Sequence, residues 1–223
     1  MSLDIIIPPE VLNDDFSAIL SEIAGRKEIK TILEIGSSSG SGSTQALVNG
    51  ILKKDFQNTK LFCMELSRAR FLNLVNTYKD KDFIKPYNLS SITISEFPSE
   101  GEVAHFYNTV KTNLNLYSLE TVLSWLKSDV EYINHNCLDF CGIEFIKSCN
   151  QIKKFDFVLI DGSEFTGEAE LQHVWGAKII ALDDVNTFKC FAPFKRLIDH
   201  YSYKLIKKDL SLRNGYALFE RNF

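Results

Sequence analysis

The stretch from position 31 to 52 constrains the fold more than any other. Thr31-Ile-Leu-Glu-Ile35 is a short, mostly apolar run, Gly36-Ser-Ser-Ser-Gly40-Ser-Gly42 ends it, and apolar residues then recur at helical spacing to Leu52. An apolar run closed by glycine reads as a buried strand. Glycine is called for where the backbone takes φ > 0 or must approach another group closely. A strand that feeds a helix through such a turn predicts a crossover to a parallel neighbour, which two strands joined by a tight hairpin could not make.

The rest of the chain repeats the pattern. Further strands are expected at 60–65, 83–85, 155–160 and 177–182, and helices at 13–24, 68–78, 143–149, 168–174 and 193–201. Strands alternating with helices predict an α/β fold, a doubly wound and mostly parallel sheet covered on both faces. The C-terminus breaks the rule: 203–206 and 215–220, joined around Arg213-Asn214-Gly215, read as an antiparallel hairpin. Residues 99–136 carry two helical segments, 100–112 and 119–135, with no strand between them. They read as a helical insertion in a single domain spanning 1–223, over the sheet edge or the mouth of a site. Trp125 and its aromatic neighbours are expected to pack on the sheet, with a lid as the sharper alternative.

Bulk properties narrow the partners. A net charge of −4, with no lysine- or arginine-rich block, argues against nucleic acid. No apolar stretch approaches the roughly 20 residues of a membrane span, and Ile5-Ile6-Ile7 is too short for a signal-peptide core. Five cysteines without CxxC or zinc spacing read as reduced thiols, so a cytoplasmic protein is expected. A small-molecule partner is the natural prior, and association into a homo-oligomer is left open.

Spacing in the glycine turn separates three ligand classes. A phosphate-binding P-loop ends in Gly-Lys-Ser/Thr, whereas Gly42 is followed by Ser43. The dinucleotide fingerprint is G-x-G-x-x-G, whereas the order here is G-x-x-x-G-x-G. With Glu34 two residues before the first glycine, the turn resembles motif I of class I S-adenosylmethionine (SAM) methyltransferases. That resemblance implies a Rossmann-like fold and a SAM site built from Glu34, Gly36, Ser37, Gly40 and Gly42. The turn's N–H groups and the next helix's N-terminus would take the SAM carboxylate, and Glu34 would lie near its positive charges. Glu65, ending the second strand, could accept the ribose hydroxyls, with a helix cap as the plain alternative. Ser90 follows the third strand, where the superfamily surrounds adenine.

Asp161 and the pair Asp183-Asp184 follow two strands expected to be neighbours, and three convergent carboxylates demand a counter-charge. Mg²⁺, with oxygen ligands, would supply it and could acidify an acceptor hydroxyl. Leu159-Ile-Asp161-Gly-Ser-Glu164, Gly176-Ala-Lys-Ile-Ile180 and Leu182-Asp-Asp184 resemble the macrocin-O-methyltransferase and cephalosporin-hydroxylase-like branch of this superfamily. The match covers under half of the chain. It implies Asp161, Asp183 and Asp184 as metal ligands and O-methylation of a sugar or natural product. Glu164 stands where the branch has histidine, which leaves the proton acceptor open among Asp161, Glu164 and His173, the last on a helix starting near Asp161. Lys189 could reach the substrate but reads as an exposed loop lysine. Two other readings remain: a NAD-dependent oxidoreductase, against which the glycine order speaks, and a SAM- or metal-binding relative without methyl transfer.

Overall fold

A computed structural model describes residues 3–54 and 58–222. Seven strands form one sheet: β1 (Thr31–Ile35), β2 (Lys60–Met64), β3 (Ile84–Tyr87), β4 (Phe157–Ile160), β5 (Ile179–Asp183), β6 (Tyr203–Asp209) and β7 (Tyr216–Arg221). Their order is β3-β2-β1-β4-β5-β7-β6. The first five are parallel; β7 is antiparallel to β5 and to β6. The architecture is the doubly wound, Rossmann-like sheet with a C-terminal antiparallel hairpin that the alternation predicts. Strand order reverses between β1 and β4, so the crevice for a ligand opens at their carboxyl ends.

Among the described residues, eight helices lie against or beside this sheet: α1 (Asp15–Ala24), α2 (Ser43–Ile51), α3 (Arg68–Thr77), α4 (Glu100–Thr109), α5 (Leu119–His135), α6 (Gly142–Asn150), α7 (Gly167–Val174) and α8 (Phe188–Asp199). Side chains alternate across a strand, and β1 divides accordingly. Ile32 joins α1, α2 and Leu74 of α3 in one buried layer, while Leu33 and Ile35 join α6, α7 and α8 in the other. Asp14 caps α1 through a reciprocal bond with Ser17, and Ser67 caps α3 through Arg70 N–H.

The insertion holds α4, a short 3-10 turn at Asn113–Leu116, and α5, with no strand. It has a small core of its own, Val103, Leu114, Val122 and Leu126, closed by Phe165 from the β4–α7 loop. Trp125 therefore packs within the insertion, edge-on to Tyr117 at 4.8 Å, rather than on the sheet.

One element differs in a way that matters for the site. Helix α8 begins at Phe188, not at Pro193, and the proline lies inside it. Proline is favoured in the first helical turn, which suggested a start at 193. Here it instead withholds the N–H that would bond the carbonyl of Lys189. Lys189 is thus a first-turn helical residue, not a loop residue.

Candidate functional site

A cleft of about 390 Å³ opens above the carboxyl ends of β1, β2, β4 and β5. One end is made by the glycine turn. Gly36, at φ +89°, lies so close to β4 that a Cβ there would stand 1.9 Å from the Asp161 carbonyl oxygen. The Gly36 and Ser37 N–H groups both donate to the Met64 carbonyl, at 3.0 and 2.9 Å, and Gly40 N–H donates to Ser37 at 3.0 Å. These amides are engaged by the end of β2 and within the turn. The open donors are at the start of α2, where Gly42 offers no side-chain cap and Ser41, Gly42 and Ser43 line the cleft. First-turn N–H groups without intrahelical partners favour an anion.

Glu34 does not reach the cleft. It shares a face of β1 with Ile32 and sits beneath α2, fully buried. Its carboxylate accepts the hydroxyls of Ser37 (2.6 Å), Ser43 (2.7 Å) and Thr44 (2.7 Å). Burial raises its pKa against those three bonds. Glu34 therefore organises the turn from below and is not placed to touch a ligand. Gly40 is also away from the cleft: a Cβ there would meet Tyr78 Cε2 at 2.7 Å and Leu74 Cδ1 at 2.8 Å. Its small size serves packing on α3.

Glu65, Ser37, Gly36, Gly42 and Ser90 do line the cleft. Glu65 is 6% exposed, and its two oxygens accept Ser38 N–H at 2.8 Å and Ser67 N–H at 2.7 Å. Each carboxylate oxygen has a second acceptor position, so the group can both fix the turn and accept from a ligand. Burial pushes its pKa up. Ser90 donates its hydroxyl to the Ile92 carbonyl at 2.6 Å. The N-terminal segment closes this end, with Leu3 and Ile7 to Val11 on the cleft wall. Asp4 anchors it by accepting the hydroxyls of Ser67 (2.9 Å) and Tyr132 (2.8 Å).

The other end holds the three aspartates, and they do converge. Between them stands Lys189, only 7% exposed. Its ammonium donates to Asp161 Oδ1 at 2.9 Å and to Asp184 Oδ2 at 2.6 Å. Asp183 is paired with Arg213 at 3.4 Å, and Arg213 also holds Asp14. Asp184 sits at φ +55° and accepts Asn214 Nδ2 at 3.0 Å as well. Burial works against ionisation of Asp184, but Lys189 and Asn214 outweigh it and lower its pKa. Burial and the Asp184 charge push Asp183 up to about 6. Burial would also discharge Lys189, yet Asp161, Asp184, Glu164 and Asp183 keep its pKa well above the usual range. Burial pushes the Asp161 carboxyl well above the usual carboxylate range, against the pull of Lys189.

This arrangement bears on the expectation of a bound Mg²⁺. Three carboxylates are a suitable donor set for a hard cation, but the position bridging Asp161 and Asp184 is filled by the Lys189 ammonium. A divalent ion does not fit there with Lys189 in place. The counter-charge the sequence demanded exists, and it is part of the chain.

Glu164 lines the cleft beside this cluster, accepting the Lys189 backbone N–H at 3.3 Å. Burial pushes its pKa up to about 7 against the pull of Lys189. A carboxylate with that pKa is well matched to proton abstraction near neutrality. The insertion supplies Trp125 and Asp129, and the segment before it Phe97. Asp129 accepts the Ser163 hydroxyl, which ties the insertion to the β4–α7 loop, and burial raises its pKa to about 6.

His173 is absent from the cleft wall. It is six residues past the start of α7, about 9 Å down the helix axis. There it bridges Glu96 (Nε2, 2.6 Å) and Glu144 (Nδ1, 3.0 Å), near Cys141. It is not positioned to take a proton in the cleft. Sequence reasoning weighed Lys189 as a residue that could reach the substrate but read it as an exposed loop lysine, and it missed Arg213. The signal available for Lys189 was a cation at the amino end of a helix, unfavourable to the dipole unless acids surround it.

No protein-family model and no curated protein matches the sequence. Among solved structures, the chain is similar to an O-methyltransferase of Bacillus cereus in complex with S-adenosylhomocysteine (SAH), with TM-score 0.55 and 12% identity over 96% of this chain and 84% of that one. A putative O-methyltransferase of Klebsiella pneumoniae gives TM-score 0.55 at 10% identity, covering 97% and 84%. An SAH-bound methyltransferase of Podospora anserina gives 0.50 at 14%, covering 93% and 78%. At these identities the shared property is the fold.

Proposed function

We propose that the chain is a SAM-dependent methyltransferase that methylates a hydroxyl of a small molecule, a sugar or natural product being the leading class. The observation that carries this reading is one cleft with two different ends. The first offers the uncapped start of α2 and the Glu65 carboxylate, a fit for the carboxylate and ribose of SAM. The second offers Glu164, a half-buried acid with pKa about 7, a fit for the acceptor's proton. The fold likeness to O-methyltransferases, one of them holding SAH, supports it. The narrower macrocin-O-methyltransferase-like placement rests on the motifs around Asp161, Ile180 and Asp184.

Bound SAM supplies an electrophilic methyl group on a sulfonium. The acceptor oxygen forms the new C–O bond as the C–S bond breaks, and that electron pair stays on sulfur. Glu164 takes the hydroxyl proton, standing where the resemblance expects histidine. Glu65 and the start of α2 hold the cosubstrate so that methyl and oxygen lie in line, which is most of what the protein must do. Glu34 positions the turn from beneath. Trp125 and Phe97 cover the acceptor end against water.

Calorimetric titration of the wild type with SAM, SAH and NADH tests the reading. SAM and SAH are expected to bind and NADH not to. Binding of NADH without SAM would replace it with the oxidoreductase reading. SAM binding with no SAH release across a panel of hydroxyl acceptors would leave a SAM-binding protein without transfer.

A further inference from the structure

The acid cluster beside Glu164 is built around a cation that belongs to the chain. Three carboxylates from the ends of β4 and β5 converge on one region of the cleft, an arrangement that would be costly without positive charge. Two of them, Asp161 and Asp184, grip one ammonium at 2.9 and 2.6 Å. Lys189 comes from the first turn of α8, where the helix dipole disfavours it. The local cost is offset only by the acids it meets. An ammonium has three donors; Asp161 and Asp184 take two, and Lys189 lines the cleft.

We infer that Lys189 takes the place of a divalent cation at this cluster, so that the cleft works without metal and the ammonium's remaining N–H holds the acceptor oxygen. The last part rests on the methyltransferase reading; the exclusion of metal by lysine does not. A divalent ion carries two positive charges and binds several oxygens at once, so it could hold two acceptor oxygens in a chelate. One ammonium donor can hold one. The acceptor class that follows is a lone hydroxyl, with no need for a vicinal diol or catechol. The ammonium orients and polarises the acceptor, while proton removal falls to Glu164.

Mn²⁺ is the probe, read by loss of its free electron-paramagnetic-resonance signal. Wild type is expected to leave the signal unchanged, with or without SAM. Lys189→Ala and the gentler Lys189→Gln free the carboxylates. Each should bind Mn²⁺ at least about tenfold more tightly than wild type, the scale of one lost charge-assisted contact. Adding Asp184→Asn to either should remove the gain. Melting curves and SAM titrations on the same samples report folding and the cosubstrate end separately, so failure of SAM binding would damage the functional reading without touching the Mn²⁺ result. Wild-type binding of Mn²⁺ that Asp184→Asn abolishes would overturn the inference without requiring any lysine variant to fold. So would folded lysine variants that gain no Mn²⁺ affinity.

Discussion

The two ends of the cleft are built by opposite means. The frame of the glycine-turn end is made of neighbours in sequence: β1, the turn and α2 follow one another, and Glu34 binds the hydroxyls of Ser37, Ser43 and Thr44 within ten residues, with Glu65, Ser90 and the N-terminal segment completing the wall. The acid end is assembled from four places, with Asp161 and Glu164 after β4, Asp183 and Asp184 at the end of β5, Lys189 on α8 and Arg213 in the final hairpin. A locally encoded site is rigid because its backbone amides are tied down. A site assembled from distant charges depends on every charge finding its partner. The first suits recognition of one invariant cosubstrate; the second can vary its acceptor by changing single side chains.

If that division is right, the largest effect on turnover should come from the acid end and leave the turn untouched. Glu164→Gln is expected to slow methyl transfer by about 10²–10⁴-fold, the usual contribution of a positioned base, with SAM affinity unchanged. In the wild type, log kcat/KM should rise with pH up to about 7 and then level, because only ionised Glu164 accepts the proton. SAH release measured across pH checks both, and the Gln variant should lose the step. Equal turnover of the two proteins would move proton removal away from Glu164.

The complementary change sits at the turn. Glu65→Ala should weaken SAM binding by about 1–3 kcal/mol through loss of charge-assisted hydrogen bonds. The same carboxylate also holds the Ser38 and Ser67 N–H groups, so the melting temperature should fall as well. Calorimetry beside a melting curve separates the two losses. An unchanged SAM affinity would show that Glu65 serves the turn alone.

How much of this could be read beforehand follows the same division. The order of strands and helices, the buried strand ending at Ile35 and the convergence of Asp161 with Asp183-Asp184 were all legible, because apolar periodicity and turn chemistry are local. The direction of Glu34 required knowing which face of β1 meets α2. Its hydroxyl partners lie within the motif, but the resemblance drew attention to the ligand instead. Lys189 was passed over because Pro193 reads as a helix start; once the helix was cut there, the lysine fell into a loop. His173 shows the reverse error. Its helix does begin near the cleft, but the rise of α7 carries the residue away from it.

That displaced histidine gives the smallest expected effect and a contrast with Lys189. Both cations stand between two carboxylates, but imidazole titrates near neutrality and the lysine does not. Burial would lower the His173 pKa; the hydrogen bonds to Glu96 and Glu144 outweigh it and raise the value above 6.5. A raised folded-state pKa means the native protein holds the proton more tightly than the unfolded chain. The stabilisation is therefore complete below about 6.5 and is lost as pH rises through the folded value. Glu96 precedes the insertion, Glu144 lies on α6 with Lys147 beside it at 2.9 Å, and Cys141 faces the ring, so the bridge joins the insertion's root to two sheet-covering helices. Since the groups are partly exposed, about 1 kcal/mol or less is expected. The difference in melting temperature between wild type and His173→Gln should be largest at mildly acidic pH and shrink above neutrality. Lys189→Gln should instead show a deficit that grows with pH, because the carboxylates it leaves unpaired are tolerated when protonated and costly once ionised. Parallel curves for the two variants would mean that His173 does not act through its charge.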